Sequence, residues 1–304
     1  MQIIANGINI EVEDTGAGLN AQGVERPAIV LIMGLAMQLV AWPLPLVQAL
    51  VDAGYRVIRF DNRDIGLSHH FDGLGTSNLV WAGLKMRLGL AVKSGYSLHD
   101  MALDTLGVLD ALKVQKAHIV GVSMGGMIAQ RVALAKPERV LSLTSIMSTS
   151  GARGLPQARP EVMRALLKRP SSTSEQDIGD FYVKLLKVIG SPGFPVPEAE
   201  VRSRAYLSFR RSYHPQGINR QMMAIVADTT RADALKSIRV PTLVVHGKAD
   251  ALVPFAHGQD TAQRIPKAQF VPVEGMGHDL PPGVIERLLD AMIPHFNTAR
   301  TEAA

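Results

Sequence analysis

The chain has 304 residues, of which 47% are hydrophobic, so it can form one large α/β domain with room for an inserted subdomain. It contains no cysteine, which excludes disulfides, thiolate metal sites and a cysteine nucleophile. The formal net charge is +5, and the excess is concentrated in residues 151–231, which hold 13 Lys or Arg against 7 Asp or Glu.

The first 135 residues alternate short apolar runs with helix-like segments. Gly7 follows Asn6 between two apolar runs, which is a hairpin-turn signal. The runs predict strands at residues 3–4, 8–12, 28–32, 55–60 and 117–122. Helix formers and stop signals predict helices at residues 44–53, 97–112 and 124–135, the second of them opened by a capping box from Ser97 to Asp100.

The last third of the chain resumes this alternation. Strands are predicted at residues 140–147, 242–246 and 269–273, and helices at residues 256–265 and 284–295. Strands that alternate with helices indicate a mostly parallel central sheet with helices on both faces. The fold class is therefore α/β, and residues 1–147 and 235–304 are expected to form its core.

The alternation is interrupted between residues 148 and 234, which we call the cap segment. It contains four helix-like patches and no buried-strand pattern; the patches are residues 161–169, 177–189, 198–211 and 216–228. Proline-rich joints separate the patches, notably Ser191-Pro-Gly-Phe-Pro-Val-Pro197. We expect a helical cap inserted after one strand of the core, and the irregular stretch at 67–95 could form part of the same cap.

Ser123 lies in a Gly-x-Ser-x-Gly motif between a predicted strand and a predicted helix. The strand must turn sharply into the helix at Ser123, and Gly121 and Gly125 remove the β-carbons that would clash in that turn. Such a turn exposes the serine oxygen and places the Met124 N–H near a helix N-terminus. The alternative is a glycine-rich turn whose serine caps the helix.

Two later turns offer the partners that a serine nucleophile needs. Asp250 follows the strand at residues 242–246, and His278 lies in a glycine-flanked loop after the strand at residues 269–273. The order Ser, Asp, His is the one expected for an α/β-hydrolase. Asp279 is adjacent to His278 and is expected to turn outward, since it could not orient that ring well.

Other charged or ionisable residues have simpler expected roles. Asp61 and Asp64 are expected to tie down their own loop with Arg63 as their partner. Among the remaining histidines, His118 is expected in the core, and His214 and His295 on the surface.

The chain resembles α/β-hydrolases of the esterase type over nearly its whole length. The resemblance rests on Met33-Gly34-Leu35, on Asp61-Asn-Arg-Asp-Ile-Gly-Leu-Ser68, on the Ser123 turn and on the Asp250 and His278 pair. The first two segments are most similar to those of bacterial carboxylesterases related to the aclacinomycin methylesterases. The resemblance implies an oxyanion hole made by the backbone N–H groups of Leu35 and Met124. Met33 departs from the histidine that is common at its position.

Methionines recur beside these motifs, and we hypothesise that they form a flexible apolar acyl pocket. The residues concerned are Met33, Met37, Met147 and Met276. Most methionines are core filler, which is the alternative for each of them. The basic excess of the cap segment is most simply a solvated surface, although it could favour anionic substrates.

The sequence therefore predicts a serine hydrolase that cleaves carboxylic esters through Ser123, His278, Asp250 and an acyl-enzyme intermediate. A C–C bond hydrolase, an acyltransferase or an amidase could use the same three residues, and a ligand-binding module could share the fold. We expect a small-molecule ester as substrate and no metal, organic cofactor or nucleic acid. With neither a signal-peptide pattern nor an apolar run of membrane-spanning length, a cytoplasmic protein is expected.

Overall fold

A computed structural model describes residues 1–19, 23, 25–88, 90–168 and 170–303. Its centre is a sheet of eight strands, in the spatial order β1-β2-β4-β3-β5-β6-β7-β8. The strands are β1 Gln2–Ala5, β2 Ile8–Asp14, β3 Ala28–Ile32, β4 Arg56–Phe60, β5 Ala117–Val122, β6 Val140–Ile146, β7 Thr242–Gly247 and β8 Gln269–Val273. This pattern confirms the predicted fold class.

The sheet is antiparallel only at its first edge. β1 pairs with β2 through a tight turn in which Asn6 and Gly7 both have positive φ, and β2 pairs antiparallel with β4. All other neighbours run parallel, so the carboxyl ends of β3, β5, β6, β7 and β8 lie along one edge. The loops that follow these strands are therefore brought together there.

Eleven helices are found among the described residues. They are α1 Leu44–Asp52, α2 Leu79–Arg87, α3 Leu98–Ala111, α4 Met124–Ala135, α5 Pro160–Leu167, α6 Glu175–Ile189, α7 Glu198–Arg211, α8 Pro215–Ala227, α9 Arg231–Ala234, α10 Ala256–Arg264 and α11 Pro282–Ala303. The predicted capping box is present at α3, where Ser97 and Asp100 exchange side-chain and backbone hydrogen bonds. None of the helices is both long and apolar enough to cross a bilayer in the part of the chain described.

Apolar side chains fill the two faces of the sheet separately. One hydrophobic cluster joins β3 and β5 to α3 and α4, and the other joins the same strands to α1 and α11. β3, β4 and β5 are buried at every position, as expected for strands that are covered on both sides. The covered sheet is the rigid base from which the loops at its carboxyl edge project.

The final helix extends beyond the predicted end at His295. α11 continues to Ala303 although Pro294 lies inside it. Phe296 and Ala299 are buried, and α11 packs against β6, so tertiary contacts offset the lost helical hydrogen bond. His295 is buried rather than on the surface as predicted, and burial lowers its pKa to about 4.

Residues 148–234 follow β6 and contain α5 to α9, with no strand among the residues described there. The four predicted helix-like patches correspond to α5, α6, α7 and α8, although Arg169, the last residue of the first patch, lies outside the described residues. α6 packs against α7, and α2, from the irregular stretch at 67–95, packs against α8. Gly89 of that stretch also lies outside the described residues.

Candidate active site

Ser123 occupies the turn between β5 and α4 in a backbone conformation that non-glycine residues rarely adopt. Its φ is 53° and its ψ is −121°, and its N–H donates to the Ile146 carbonyl at 2.9 Å. The Ser148 hydroxyl donates to the Ser123 carbonyl at 2.7 Å, so both sides of the turn are held by β6 and its end. The serine side chain makes no capping bond to α4, which contradicts the alternative of a simple helix cap.

The two glycines of the motif are required by close backbone approaches. A β-carbon on Gly121 would lie 2.1 Å from the Gly125 carbonyl oxygen, and one on Gly125 would lie 2.0 Å from the Ile32 carbonyl oxygen. Neither distance is possible for real atoms, so α4 can start this close to β3 and β5 only with glycine at both positions. The sequence motif is therefore explained by packing around the turn.

His278 lies between Ser123 and Asp250. Its Nε2 is 3.0 Å from Ser123 Oγ, and its Nδ1 is 2.7 Å from Asp250 Oδ2. The side chain of His278 is only 8% exposed and that of Asp250 is fully buried. The three residues come from the turns after β5, β7 and β8, which the parallel sheet brings to one edge.

The other oxygen of Asp250 is held by its own turn. Oδ1 accepts the N–H groups of Leu252 and Val253 at 2.9 and 2.8 Å. His246 supports this turn by donating from Nε2 to the Val253 carbonyl at 2.8 Å, and burial lowers the pKa of His246. Asp250 therefore presents its free oxygen, Oδ2, to the ring of His278.

These contacts fix the tautomer that we assign to His278. A buried carboxylate accepts but does not donate, so Nδ1 carries the proton that bonds to Asp250. Nε2 then has a free lone pair facing the Ser123 hydroxyl, which can donate to it. This arrangement allows the imidazole to remove the serine proton.

The loop after β3 approaches Ser123 from the other side. A β-carbon on Gly34 would lie 3.2 Å from the Ser123 Cβ, so Met33, Gly34 and Leu35 pass directly beside the serine. The buried Asn62 amide donates to the Met33 carbonyl at 2.9 Å, and Ala36 has a φ of 65°. The backbone of this loop is held in place by the loop at Asp61–Ser68.

Buried and half-buried polar side chains of α7 and α8 join this loop and the loop at Asp61–Ser68 to the cap segment; we call these contacts the ionic attachment. The Gln221 side chain accepts from the Ala36 N–H at 3.1 Å and donates to the Arg63 carbonyl at 2.9 Å. The Arg220 guanidinium forms a bidentate ion pair with the Asp64 carboxylate, with N–O distances of 2.7 and 2.8 Å. Arg211 bonds to both Asp61 and Gln38.

Asp61 and Asp64 are thus paired differently from the prediction. Arg63 instead pairs with Asp104 of α3, at 2.6 Å. The Cζ of Arg63 lies 5.1 Å from the centroid of the Phe71 ring and 5.0 Å from that of the Tyr96 ring. These contacts hold the Arg63 side chain beside α3. The predicted partner was wrong, because residues far apart in sequence pair with the two carboxylates. The prediction that both carboxylates hold their own loop is confirmed, since Asp61 accepts the Leu67 N–H at 2.9 Å and Asp64 accepts the Phe71 N–H at 2.8 Å.

The His278 loop contacts a different part of the cap segment; we call these contacts the backbone attachment. The His278 N–H donates to the Ile189 carbonyl at 2.7 Å, and the Gly193 N–H donates to the Gly275 carbonyl at 2.9 Å. Asp279 accepts a hydrogen bond from the Ser191 hydroxyl and is half-buried, so it does not turn outward as predicted. The proline-rich joint therefore packs on the loop that carries His278.

The predicted methionines lie in or against the hydrophobic cluster beside α1 and α11. Met33, Met147 and Met276 are buried in it, and Met37 is half-buried and packs against it. Val122, immediately before Ser123, belongs to the same cluster. These side chains form a continuous apolar region next to the serine turn.

One group of described residues brings possible metal ligands together. His70, Asp72 and His214 have ligand atoms within 4.8 Å of one another. The two imidazoles are stacked, with centroids 3.9 Å apart and planes 2° from parallel, so their in-plane lone pairs do not converge on one ion. Arg220 also lies 3.4 Å from Asp72. This group is better explained as an ion-paired cluster around Asp72, and His214 is half-buried in it rather than on the surface as predicted.

Sequence reasoning missed Asn62, Gln221 and Ser191. Asn62 lies within a segment that the resemblance used, but nothing in the pattern indicated that its amide reaches β3. Gln221 is fully buried on α8, next to the buried Arg220 and close to Met223 and Ala224. The α8 sequence does not distinguish it from its polar neighbours Asn219 and Arg220.

Comparison with known proteins gives a family match over most of the chain. The profile of the alpha/beta hydrolase fold family matches residues 27–281. The chain is 30% identical to rhodomycin D methylesterase DnrP of Streptomyces peucetius over 303 residues, which cover 92% of this chain and 95% of that protein. It is 26% identical to the putative carbamate hydrolase RutD of Pantoea ananatis, over 86% of this chain and 84% of that protein.

A solved structure agrees in overall fold. A meta-cleavage product hydrolase of Pseudomonas fluorescens superposes with a TM-score of 0.72 at 22% identity, over 98% of both chains. At this identity the likeness concerns the fold alone.

Proposed function

This chain belongs to the α/β-hydrolase fold family and is an esterase of that family, and we propose that it cleaves carboxylic esters with Ser123 as its nucleophile. The observation that carries the proposal is the continuous contact from Ser123 Oγ to His278 Nε2 at 3.0 Å and from His278 Nδ1 to Asp250 at 2.7 Å. The imidazole lies within hydrogen-bonding distance of both the nucleophile and the orienting carboxylate, as acyl transfer requires.

In the first step, Ser123 Oγ attacks the ester carbonyl carbon while its proton passes to His278 Nε2. The imidazolium that forms is stabilised by the buried carboxylate of Asp250. The carbonyl π electrons move to oxygen, giving a tetrahedral oxyanion. When the bond to the alcohol oxygen breaks, His278 returns the proton to that oxygen, and the acyl group remains on Ser123.

We assign stabilisation of the oxyanion to the backbone N–H groups of Leu35 and Met124. Gly34 passes beside Ser123, and Met124 is the first residue of α4, so both groups belong to backbone that borders the serine. Main-chain donors that are already held in place cost no reorganisation as charge develops. Met33, in place of the more common histidine, makes this side of the site more apolar but leaves the main-chain donors unchanged.

In the second step, His278 removes a proton from water, whose oxygen attacks the acyl-enzyme carbonyl. Collapse of the second tetrahedral intermediate breaks the bond to Ser123 Oγ, which regains its proton from His278, and the carboxylic acid leaves. The alcohol leaves with the original proton of Ser123, and a proton from water replaces it, so Ser123 and His278 end in their starting protonation states. The residues named here require no metal or organic cofactor for either step.

The cap segment is proposed to cover the substrate, and the apolar cluster containing Met33, Met37, Met147 and Met276 to accept its acyl part. Unbranched, flexible methionine side chains can adapt to acyl groups of different shape. p-Nitrophenyl esters of increasing chain length test this pocket, and a sharp optimum at acetate would exclude it.

Ser123→Ala is the decisive variant. We expect kcat to fall by about four to six orders of magnitude, because the nucleophile is lost. A small fluorophosphonate should label the wild type stoichiometrically and leave the variant unlabelled, as measured by mass spectrometry. Ser237→Ala, at an exposed serine after α9, is the matched control and should retain full activity. Retention of ester hydrolysis by Ser123→Ala would contradict the proposal.

The same three residues could also act on other substrate classes, and a panel of substrates distinguishes these alternatives from ester hydrolysis. The name of the methylesterase relative favours methyl esters, and that of RutD makes carbamates the second class to include. C–C bond cleavage, acyl transfer and amide hydrolysis complete the panel. Higher kcat/KM for any of these than for methyl and p-nitrophenyl esters would reassign the substrate, whereas binding without turnover would indicate a ligand-binding module.

A further inference from the structure

The Ser191 hydroxyl joins the two residues on either side of His278. It accepts the N–H of Gly277 at 2.8 Å and donates to the Asp279 carboxylate at 2.5 Å. Ser191 is buried, so water does not compete for these bonds. A single side chain of the cap segment thereby bridges the residue before His278 and the residue after it.

The main chain on both sides reinforces this bridge. The Ile189 carbonyl accepts the N–H of His278 itself, at 2.7 Å. A β-carbon on Gly277 would lie 2.2 Å from the Gly190 carbonyl oxygen, and one on Gly193 would lie 2.8 Å from the Gly275 Cα. The two segments therefore pack too closely to slide past each other without breaking their hydrogen bonds.

We propose that Ser191 and Asp279 are positioning residues that keep the His278 ring within hydrogen-bonding distance of both Ser123 and Asp250. The inference rests on the proposed function. The imidazole must keep contacts on two sides at once, and a displacement of about 1 Å at a reacting group can lower the rate about 100-fold. Because the two side chains bond to each other and to the backbone of the His278 loop, their loss should lower kcat and leave KM unchanged.

The test uses Ser191→Ala and Asp279→Ala in the full-length protein, with p-nitrophenyl acetate as substrate. We expect kcat to fall about 10- to 100-fold, KM to stay within about twofold and fluorophosphonate labelling of Ser123 to slow in parallel. Asp279→Asn should recover most of the rate, because its amide oxygen can still accept from Ser191.

Ser150 provides a matched control. Its buried hydroxyl also donates to a carboxylate, that of Asp260, and accepts a backbone N–H, that of Ala152 at 3.1 Å. Ser150→Ala should lose comparable stability in urea but keep its kcat. If Ser191→Ala keeps full kcat, or if Ser150→Ala loses as much, the positioning role is overturned. A wild type that hydrolyses no ester at all would instead overturn the proposed function.

A second, independent observation concerns the outer surface of α2. Residues 73–99 contain no Asp or Glu, whereas Lys85, Arg87 and Lys93 give the segment a positive charge. Large apolar side chains are exposed along the same segment; they are Leu74, Trp81, Leu84, Leu88 and Leu90. We call these apolar residues, with Lys85 and Lys93, the α2 surface.

Three of the exposed apolar side chains share one helical face. Trp81, Leu84 and Leu88 are spaced at i, i+3 and i+7, and the Leu88 N–H continues the helical pattern by donating to Leu84 at 3.0 Å. Ala82 is buried, and α2 packs against α8 on its other side. Exposed tryptophan and leucine side chains beside lysine, with no acidic residue in the segment, match the chemistry of a membrane interface.

We propose that the α2 surface docks on an anionic lipid surface. Tryptophan is favoured at the level of lipid headgroups, and the lysines pair with negative phosphates. α8, which supports α2, also carries the Gln221 that bonds to the loop beside Ser123. Docking would therefore bring the candidate active site close to esters that partition into lipid.

Intrinsic fluorescence offers a direct test, because the chain has only two tryptophans. Trp42 is fully buried, whereas Trp81 is 62% exposed. Vesicles of phosphatidylglycerol should shift the emission to shorter wavelength, and phosphatidylcholine vesicles should not. Trp81→Phe should abolish the shift while co-sedimentation with phosphatidylglycerol persists.

Charge reversal completes the test. Lys85→Glu with Lys93→Glu should weaken vesicle binding more than about tenfold, whereas Lys267→Glu, at an exposed site on the core, should not. Equal binding to both vesicle types, or none to either, would overturn the proposal. A blue shift that depends on protein concentration without lipid would assign the surface to a second copy of the chain.

Discussion

The cap segment is attached to the core in two different ways, on opposite sides of Ser123. The ionic attachment places charged and amide side chains of α7 and α8, notably Arg220 and Gln221, against the loops after β3 and β4. The backbone attachment joins residues 189–193 to residues 275–279 largely through main-chain groups and one hydroxyl. The two attachments should serve different ends: the ionic attachment should contribute most to stability, and the backbone attachment should set the position of His278.

The largest effect is expected from removing a charge of the ionic attachment. Arg220→Met would leave the Asp64 carboxylate, whose side chain is fully buried, without its partner. Breaking a buried ion pair from one side costs about 3–5 kcal/mol, so the free energy of unfolding in urea should fall by that amount.

Arg202 supplies the control for this variant. Its pair with Asp180 has both side chains about one-third exposed, so Arg202→Met should change stability by less than about 1 kcal/mol. Equal losses in the two variants would show that burial does not distinguish the ionic attachment from an ordinary surface pair.

A smaller effect is expected from Gln221, the uncharged member of the ionic attachment. Gln221→Ala would leave the Ala36 N–H and the Arg63 carbonyl without their partner, at a cost of about 1–3 kcal/mol. Because Ala36 follows Leu35, we also expect kcat to fall while KM changes little. Steady-state kinetics together with urea unfolding check both effects, and an unchanged kcat would restrict this attachment to stability alone.

The smallest effects concern pH, and they should have opposite signs at the two attachments. Burial alone would raise the pKa of Asp64, but the hydrogen bond from Arg220 and the N–H of Phe71 hold that pKa below its usual value. The stability that Asp64 contributes is therefore present above the ordinary carboxylate pKa, and it is lost as the pH falls through the lowered one. Asp64→Asn should flatten this acid-side loss.

At Asp279 burial outweighs the hydrogen bonds from Ser191 and raises the pKa of the carboxyl. Its contribution is present below the ordinary carboxylate pKa and is lost as the pH rises through the raised value. Asp279→Asn should remove that loss. Unfolding free energies measured in urea over a pH series distinguish the two variants, and shifts of the same sign would contradict the comparison.

Much of the core could be predicted from the sequence because its signals are local. β3, β5 and β8 have the predicted bounds. β3 and β5 are continuous apolar runs buried at every position, whereas β8 is a partly exposed edge strand that the turn residues around it delimit. The turns after three predicted strands indicated the positions of Ser123, Asp250 and His278. Parallel pairing then brings those turns to one edge of the sheet.

The attachments of the cap segment could not be predicted, because their partners are chosen by tertiary contact. Arg220 and Asp64 are 156 positions apart, and Asp64 has a closer arginine in sequence, Arg63, which pairs with Asp104 instead. Asp279 offers the same lesson. Because Asp279 is adjacent to His278, the sequence predicted an outward-facing side chain, but a hydrogen bond from the buried Ser191 keeps it half-buried.

The backbone of Ser123 has a consequence for how the protein can evolve. A positive φ of 53° at a serine costs about 1–3 kcal/mol, which glycine would not incur. An inactive Ser123→Gly chain should therefore resist urea better than the wild type, whereas Ser123→Ala should not. On the proposal that Ser123 is the nucleophile, this serine is kept at the expense of thermodynamic stability, so drift without selection for turnover would favour a more stable chain that no longer hydrolyses esters.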